Sequence, residues 1–523
     1  MRILIFHGYL LRGTGSNVYN ASLVRALAAL GHEVHILCQE REAASLPFVD
    51  AVGNWEKGGL RVRELRCPAR ITAYRPDIHD LLPVYVADRY EGFEARPFPE
   101  LSDGELERYL DANVASVRDV VERVRPELAL ANHALMGPAI LARALGYELP
   151  FAVKIHGSAL EYTLRPQPER FGPYAREGLA AARGVLVGSR HTAEALWKLV
   201  KVRGLPERTR LGPPGVDTES FRPRPRAEAA RALTSFADRL ERSETAPWGG
   251  EARAPAALRD LDPRRDRIVA FVGKLIVSKG VDLLLAAWPL VVDAVPDARL
   301  VIVGFGSYRE GLGSLLAALG AGDLDRAREV AAAGREREGG ERAELRYLAA
   351  FLDGLDAGGR ERYRRAAVPA AARVSFTGRL EHADLPSVLS ACEAQVVPST
   401  FPEAFGMVAV EAAACGALPV SAAHSGLAEV TRVLAESVEE PLRDLLSFEL
   451  GPEAVEDLAS RLVAWLRLEA PRRERARAAL SVLARDRFGW EGVARGVLAA
   501  ARGELDNLVA PGEPPAAVRP SNE

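Results

Sequence analysis

The sequence predicts an α/β protein built from two Rossmann-like parallel-sheet domains in tandem, the second carrying a helical insertion. Three observations carry that prediction. The first forty residues read as strand, glycine-punctuated loop, helix and strand. The same rhythm restarts near residue 267, and a Pro/Gly-rich stretch around 206–216 separates the two series. Such a stretch is what a domain boundary needs, because few contacts cross it.

The elements follow in order. Ile3 to Phe6 is a continuous apolar run, as expected of a strand buried on both faces, and Gly8 to Ser16 punctuates it. Val18 to Leu30 has helical apolar spacing, Gly31 stops it, and Val34 to Leu37 returns to strand character. Leu128 to Ala131, Phe151 to Ile155 and Val185 to Val187 are further buried-strand candidates. The first domain is therefore assigned to 1–205. RIVAFVG (267–273) opens the second series as a strand into glycine, GVDLLLAAWPLVV (280–292) is its helix, and ARLVIVGFG (298–306) is the next strand and glycine turn. VSFTG (374–378), AQVVPS (394–399) and ALPVSA (417–422) continue the sheet, so the second domain is assigned to 206–487. Two stretches break the rhythm and read as insertions, 226–266 and 310–372, both rich in Arg, Ala and acid. Residues 504–523 are Pro-rich and polar and read as a disordered tail.

Composition removes several classes of function. At 523 residues, with 48% hydrophobic and 27% charged, the chain has enough apolar area for more than one core. A formal charge of -3 argues against nucleic acid as partner, so any anion site must be local. The four cysteines, Cys38, Cys67, Cys392 and Cys415, lie far apart without C-x-x-C spacing, which argues against a metal cluster or a disulfide framework and fits a reducing cytoplasm. No apolar run reaches membrane-spanning length, so the chain reads as soluble, with peripheral membrane contact left open along with oligomeric state. Lysine is scarce, six against 62 arginines. Two of the six, Lys274 and Lys279, fall in one short window, where compact point charges are kept against the bias.

Three motifs could carry chemistry. Gly13-Thr14-Gly15-Ser16 lies between the first strand and its helix, where backbone N–H groups and the helix N-terminus favour an anion. Val18 stands where a dinucleotide fingerprint has its third glycine, so phosphate contact and a plain tight turn both stay open. In VGKLIVSKG (272–280), Lys274 at a strand end and Lys279 before a helix bring two ammoniums over one crevice, enough to neutralise a diphosphate; a solvated loop pair is the bland alternative. In PSTFPEAFGMVAVEAAACG (398–416), Glu403 sits in the loop after a strand, Gly406 opens a helix, and Glu411 lies within an apolar run. A carboxylate placed there needs partners, which the two hydroxyls of a ribose would supply; a structural ion pair is the alternative.

Taken together, two α/β domains, the K-x-x-x-x-K loop of the second and the PEAFGMVAVE element resemble the family 4 retaining glycosyltransferases of the GT-B fold, over most of the chain. The resemblance implies a GT-B-like arrangement in which the two domains face across a crevice. It implies transfer of a sugar from a nucleoside diphosphate sugar, UDP being the commoner base, to an acceptor hydroxyl with retention. No metal and no cofactor beyond that co-substrate are expected, and the acceptor class, glycan, lipid or small molecule, stays open. By the resemblance Lys274 and Lys279 hold the donor diphosphate, Glu411 the ribose and Glu403 the transferred sugar. The backbone at Arg379 and Leu380 would read the base, Phe405, Gly406, Met407 and Val408 would offer main-chain contacts, and Gly304 and Gly306 would line the same crevice. In the first domain Gly13, Gly15 and Ser16 would approach the phosphates and His156, in KIHGSALEY, the sugar. Asp217 reads as structural, and a terminal helix at about 488–503 would cross back onto the first domain.

Two departures from the family pattern stand out: Lys274 occupies a position where arginine is typical, and the 310–372 insertion is unusually long. D-x-D pairs at Asp260/Asp262 and Asp323/Asp325 would suit a metal-dependent transferase, but both lie in charge-dense insertions rather than at strand ends. The rival readings are a nucleotide-sugar epimerase of similar architecture and a non-catalytic sugar-nucleotide-binding protein. A nicotinamide oxidoreductase fits less well, because the first loop lacks its third glycine.

Overall fold

Apolar runs that bury both faces make parallel strands, and both halves of the chain are organised around them. The computed structural model describes residues 1–13, 15–56, 59–79, 81–85, 93–146, 148–242 and 249–512. The chain divides into two units, 1–215 with 490–523, and 216–489.

In the first unit the strands are β1 (Arg2–Phe6), β2 (Glu33–Leu37), β3 (Ala51–Glu56), β4 (Gly59–Glu64), β5 (Ile71–Arg75), β6 (Leu81–Val84), β7 (Glu94–Pro97), β8 (Leu128–Asn132), β9 (Phe151–Lys154), β10 (Gly184–Val187) and β11 (Thr209–Leu211). Among the described residues nine of them form one sheet in the order β11-β10-β9-β8-β1-β2-β5-β3-β4, and β6 and β7 pair separately. The sheet is parallel except for β4, which pairs antiparallel with β3 at the edge. The sequence reading passed over β3, β4, β5, β6, β7 and β11. GLRVRE alternates and is mostly exposed, so it lacks the continuous apolar signature, and β11 lies inside the stretch read as linker. Because Val185, Leu186 and Val187 pair with Thr209, Arg210 and Leu211, the first unit runs on to Gly215, ten residues past the boundary expected from sequence.

The second unit has six parallel strands, β12 (Arg267–Val272), β13 (Ala298–Val303), β14 (Val374–Gly378), β15 (Ala394–Val397), β16 (Leu418–Ala422) and β17 (Ser447–Phe448), in the order β14-β13-β12-β15-β16-β17. Both regions read as insertions are folded into its core. Leu233 and Phe236 of helix Arg226–Arg242 are buried there, as are Leu348, Phe351 and Tyr363 from the later one. The Tyr363 hydroxyl donates to the Ala286 carbonyl at 2.7 Å.

The terminal helix Trp490–Arg502 belongs to the first unit. Its close packing is set by small residues: a Cβ on Gly184 would lie 2.6 Å from the Ala500 carbonyl, and one on Gly215 would lie 2.6 Å from the Trp490 ring. The stretch after it is ordered as far as Gly512, contrary to the expectation of a disordered tail from 504. Leu505 and Leu508 pack on the apolar core and the Val509 carbonyl accepts from Leu211 N at 2.8 Å. Residues 513–523 of that expected tail lie outside the described residues. Among the described residues no helix is long and apolar enough to cross a membrane.

Candidate functional site

In an open parallel sheet, loops leaving neighbouring strands in opposite directions diverge at the carboxyl edge and leave room for a ligand. The second unit meets this condition at β12, which lies between β13 and β15. The loop after β12 carries Lys274 and Lys279; the loop after β15 carries Glu403 and leads into helix Met407–Ala414. The two loops are joined directly, Thr400 N donating to the Ser278 carbonyl at 2.9 Å. Gly280, at φ 65°, allows this approach, since a Cβ there would sit 2.0 Å from the Pro398 carbonyl oxygen. Gly304 and Gly306 serve the same end, their absent Cβ atoms falling 1.8 Å from the Gly273 carbonyl and 2.4 Å from that of Leu275. They shape the lysine loop through backbone proximity.

Lys279 forms an ion pair with Glu403 Oε1, and Ser399 Oγ donates to the same oxygen at 2.6 Å. The Glu403 backbone is held as well: its N–H donates to Ser425 Oγ at 2.9 Å and its carbonyl accepts from Gly426 N at 3.0 Å. His424 completes the clamp, with Nε2 2.7 Å from the Ser399 carbonyl and Nδ1 3.1 Å from Ser425 Oγ. Lys274 is half-buried on the same loop.

Glu411 is 2% exposed, on the helix opened by Gly406. Its Oε1 lies 2.7 Å from His382 Nε2, while its Oε2 is buried with no hydrogen-bond partner among the described residues. His382 packs against Phe221, ring centroids 5.2 Å apart. A buried carboxylate oxygen left unpaired is costly unless a hydroxyl or amide reaches it from outside the chain. His382 was not singled out from sequence. It lies in the short turn His382–Asp384 after β14, and a lone histidine in a polar loop gives no spacing signal.

Phe405 is buried and packs on Phe488, while Met407 and Val408 are half-buried at the first turn of the Glu411 helix. Gly406 takes φ 111° with a would-be Cβ 2.5 Å from Leu427. Within the Arg379–Leu380 backbone, the Arg379 N–H donates to the Gly249 carbonyl at 2.7 Å, because residues 249–251 of the earlier insertion run antiparallel beside Gly378. The Leu380 side chain is buried. Asp282 and Tyr308 lie behind the lysine loop. Burial raises the Asp282 carboxyl to about 7, and the Tyr308 hydroxyl has no hydrogen-bond partner among the described residues.

The first unit repeats the topology, with β1 between β2 and β8, but furnishes the edge differently. His7 follows β1, Asn132 ends β8, His133 follows it, and His156 follows β9. Asn132 is the hub: its Oδ1 accepts from Asn20 Nδ2 at 3.1 Å and lies 2.9 Å from His156 Nε2, and its Nδ2 donates to Asn20 Oδ1 at 2.9 Å. His7 Nδ1 lies 3.1 Å from Asn20 Nδ2, and its Nε2 lies 3.0 Å from the Leu10 carbonyl. Burial lowers His7 to about 4, and holds His133 and His156 well below the usual imidazole range. Burial also lowers Lys154 to about 7. Both ring nitrogens of His133 are buried without a hydrogen-bond partner among the described residues. Gly13 and Gly15 take left-handed φ of 104° and 57° at the start of helix Ser16–Ala29, and Thr14 between them lies outside the described residues.

The D-x-D pairs are engaged within the protein. Asp260 pairs with Arg299, Asp262 with Arg264 at 2.9 Å and Asp325 with Arg360 at 2.6 Å, while Asp323 caps a helix through the Arg326 N–H at 2.9 Å. Asp217 holds its own turn, accepting from Ser220 Oγ at 2.8 Å.

Comparison with known proteins bears on the fold and the family. The family model described as Glycosyltransferase Family 4 matches residues 13–220, and that described as Glycosyl transferases group 1 matches 259–324 and 358–477. A D-inositol 3-phosphate glycosyltransferase of Segniliparus rotundus is 29% identical over 418 residues, 79% of this chain and 74% of that protein. Among solved structures, sucrose-phosphate synthase from Thermosynechococcus elongatus superposes with a TM-score of 0.57 at 20% identity, covering 97% of this chain and 99% of that one. HepE from Anabaena, in complex with UDP and glucose, gives 0.54 at 15% identity, covering 95% and 98%.

Proposed function

The chain belongs to the family 4 glycosyltransferases of the GT-B fold, and from that premise we propose that it transfers a sugar from a nucleoside diphosphate sugar, UDP-linked, to an acceptor hydroxyl with retention and without a metal. The observation that carries the donor reading is Glu411: a buried carboxylate with one oxygen tied to His382 and the other unpaired. A ribose hydroxyl satisfies that oxygen. The Lys274–Lys279 loop then meets the diphosphate, and Glu403, held beside Lys279, meets hydroxyls of the transferred sugar. In the first unit the reading assigns His156 to a sugar hydroxyl and Gly13, Gly15 and Ser16 to a phosphate. HepE, in complex with UDP and glucose, is a fold neighbour in keeping with a uridine donor.

Cleavage of the sugar–phosphate bond leaves positive charge on the sugar and adds negative charge to the departing diphosphate. Ammonium groups already aimed at the diphosphate stabilise that state more than the ground state, without reorganisation. The acceptor attacks from the face the diphosphate leaves, and a diphosphate oxygen takes its proton. Both matched family models and the relative from Segniliparus rotundus are transferases, and no observation favours an epimerase or a purely binding role.

A thermal-shift panel of UDP, GDP, ADP and NAD tests the donor assignment, because a ligand that binds only the folded chain raises its melting temperature. Stabilisation by one nucleoside diphosphate, lost in folded Lys279→Ala and Glu411→Ala variants, is the expected result. Stabilisation by NAD alone, or a response indifferent to both substitutions, would overturn it.

A further inference from the structure

The segment 325–357 lies between the two stretches matched by the glycosyl transferases group 1 model and outside both. It sends one carboxylate into the candidate donor site. Glu338, at the end of the turn Arg335–Glu338, accepts from the backbone N–H of Val277 at 2.8 Å through Oε2. Its Oε1 accepts from Arg335 Nε at 3.0 Å. The Glu338 side chain is only 10% exposed, although the Arg335 side chain is 60% exposed.

Val277 sits between the two lysines, at the start of the turn Val277–Lys279. The rest of the loop is tied to neighbouring strands and loops: Gly273 N to the Val303 carbonyl at 3.0 Å, Leu275 N to that of Phe305 at 2.7 Å, and the Ser278 carbonyl to Thr400 N at 2.9 Å. The Val277 N–H is directed away from them, toward the inserted segment, and is met there by a charge-assisted bond, which is shorter and stronger than a neutral one. We propose that Glu338 is a positioning residue for donor binding: the inserted segment anchors the middle of the lysine loop and so sets where Lys279 stands. The inference rests on the donor reading above.

The sign of the effect distinguishes anchoring from charge. A carboxylate close to the diphosphate site opposes an anionic ligand through space. If that were its whole influence, removing it would tighten nucleotide binding. If it anchors the loop, removing it loosens the loop and weakens binding, and glutamine, which keeps an acceptor oxygen but no charge, restores it. The Arg335 pair lost in that exchange is exposed on one side and contributes little.

The test is calorimetric titration with UDP, GDP and ADP of the full chain and its Glu338→Ala and Glu338→Gln variants, with amide hydrogen exchange of residues 273–280 in the absence of ligand. The expected result is roughly tenfold weaker binding of the preferred diphosphate in Glu338→Ala. Faster exchange in that loop and recovery of most of the affinity in Glu338→Gln should accompany it, with melting temperatures close to wild type. Equal or tighter binding by Glu338→Ala, or equal loss in both variants, would overturn the proposal while leaving the donor site standing. A wild-type chain that binds none of the three diphosphates would instead sink the donor reading, and this inference with it.

Discussion

The carboxyl edges of the two sheets are alike in topology, but one is lined by paired charges and the other by neutral polar groups. At the second, Lys279 is paired with Glu403 and a buried carboxylate, Glu411, keeps one oxygen unpaired. At the first, burial holds three imidazoles in their neutral form and an asparagine pair, Asn20 and Asn132, links two of them. The difference follows from what each edge can solvate. Lys279 and Glu403 at β12 lie partly open to water and pair with each other; at β1 the enclosure disfavours charge, and the same desolvation leaves the histidine and asparagine side chains as neutral hydrogen-bonding groups suited to hydroxyls. One architecture thus provides two kinds of edge, an ionic one that the proposed reading assigns to a diphosphate and one whose buried histidines and asparagines are neutral.

The sharpest way to break that contrast is at Lys279. Replacing it with alanine removes the cation nearest Glu403, and the turnover of a donor at saturation should fall by about 10² to 10³. Initial rates at several donor concentrations separate this from weakened binding. A loss confined to donor KM would mean that the ammonium binds the ground state and the transition state equally.

Much of the ionic edge is legible in sequence and little of the neutral one. Lys274, Lys279 and Glu403 are visible because they fall in the loops that follow apolar strands and because lysine is rare here, and Glu411 because it is a lone carboxylate in an apolar helical run. His382 and Glu338 are not visible. Each reaches the site through a chain path, a loop after β14 and a turn inside an insertion, that no local periodicity encodes. The Arg379 N–H shows the converse: it is engaged by the Gly249 carbonyl, a pairing that only the folded insertion reveals. In the first unit β1, β2, β8, β9 and β10 are read from their apolar runs, whereas the buried β5 is missed and the exposed alternation of Gly59–Glu64 hides an edge strand.

The neutral edge should reveal itself in acid. An unfolded histidine titrates near 6.5, whereas burial lowers His7 to about 4. Between those values the unfolded chain takes up a proton that the folded one refuses, so the contribution is intact above about pH 6.5 and is lost as pH falls toward 4. At roughly 1.4 kcal/mol per unit, His7 alone accounts for about 3 kcal/mol at the bottom of that window. His133 and His156, lowered in the same direction, steepen the fall. Melting temperatures from pH 7 to 4.5 should drop less steeply for His7→Gln than for wild type. Parallel curves would mean that the His7 ring is already charged in the folded protein.

The smallest expected effect tests how the ionic edge is held. His382 touches Glu411 Oε1 at 2.7 Å, and that oxygen belongs to a side chain only 2% exposed. Without the imidazole Oε1 loses its partner and both carboxylate oxygens are left unpaired within the chain, so the group must turn, take up water or become protonated, and each outcome spoils the oxygen that the donor reading assigns to the ribose. On the donor reading the ribose is distant from the bond that breaks, so the loss belongs to ground state and transition state alike. His382→Ala should therefore raise donor KM about tenfold with turnover nearly unchanged, and His382→Gln, which can still donate to Oε1, should recover part of it. A fall in turnover at saturating donor would place His382 nearer the reacting atoms than Glu411 allows. An unchanged KM would show that Glu411 keeps its orientation through the helix alone, and that the contrast between the two edges depends on Lys279 and Glu403.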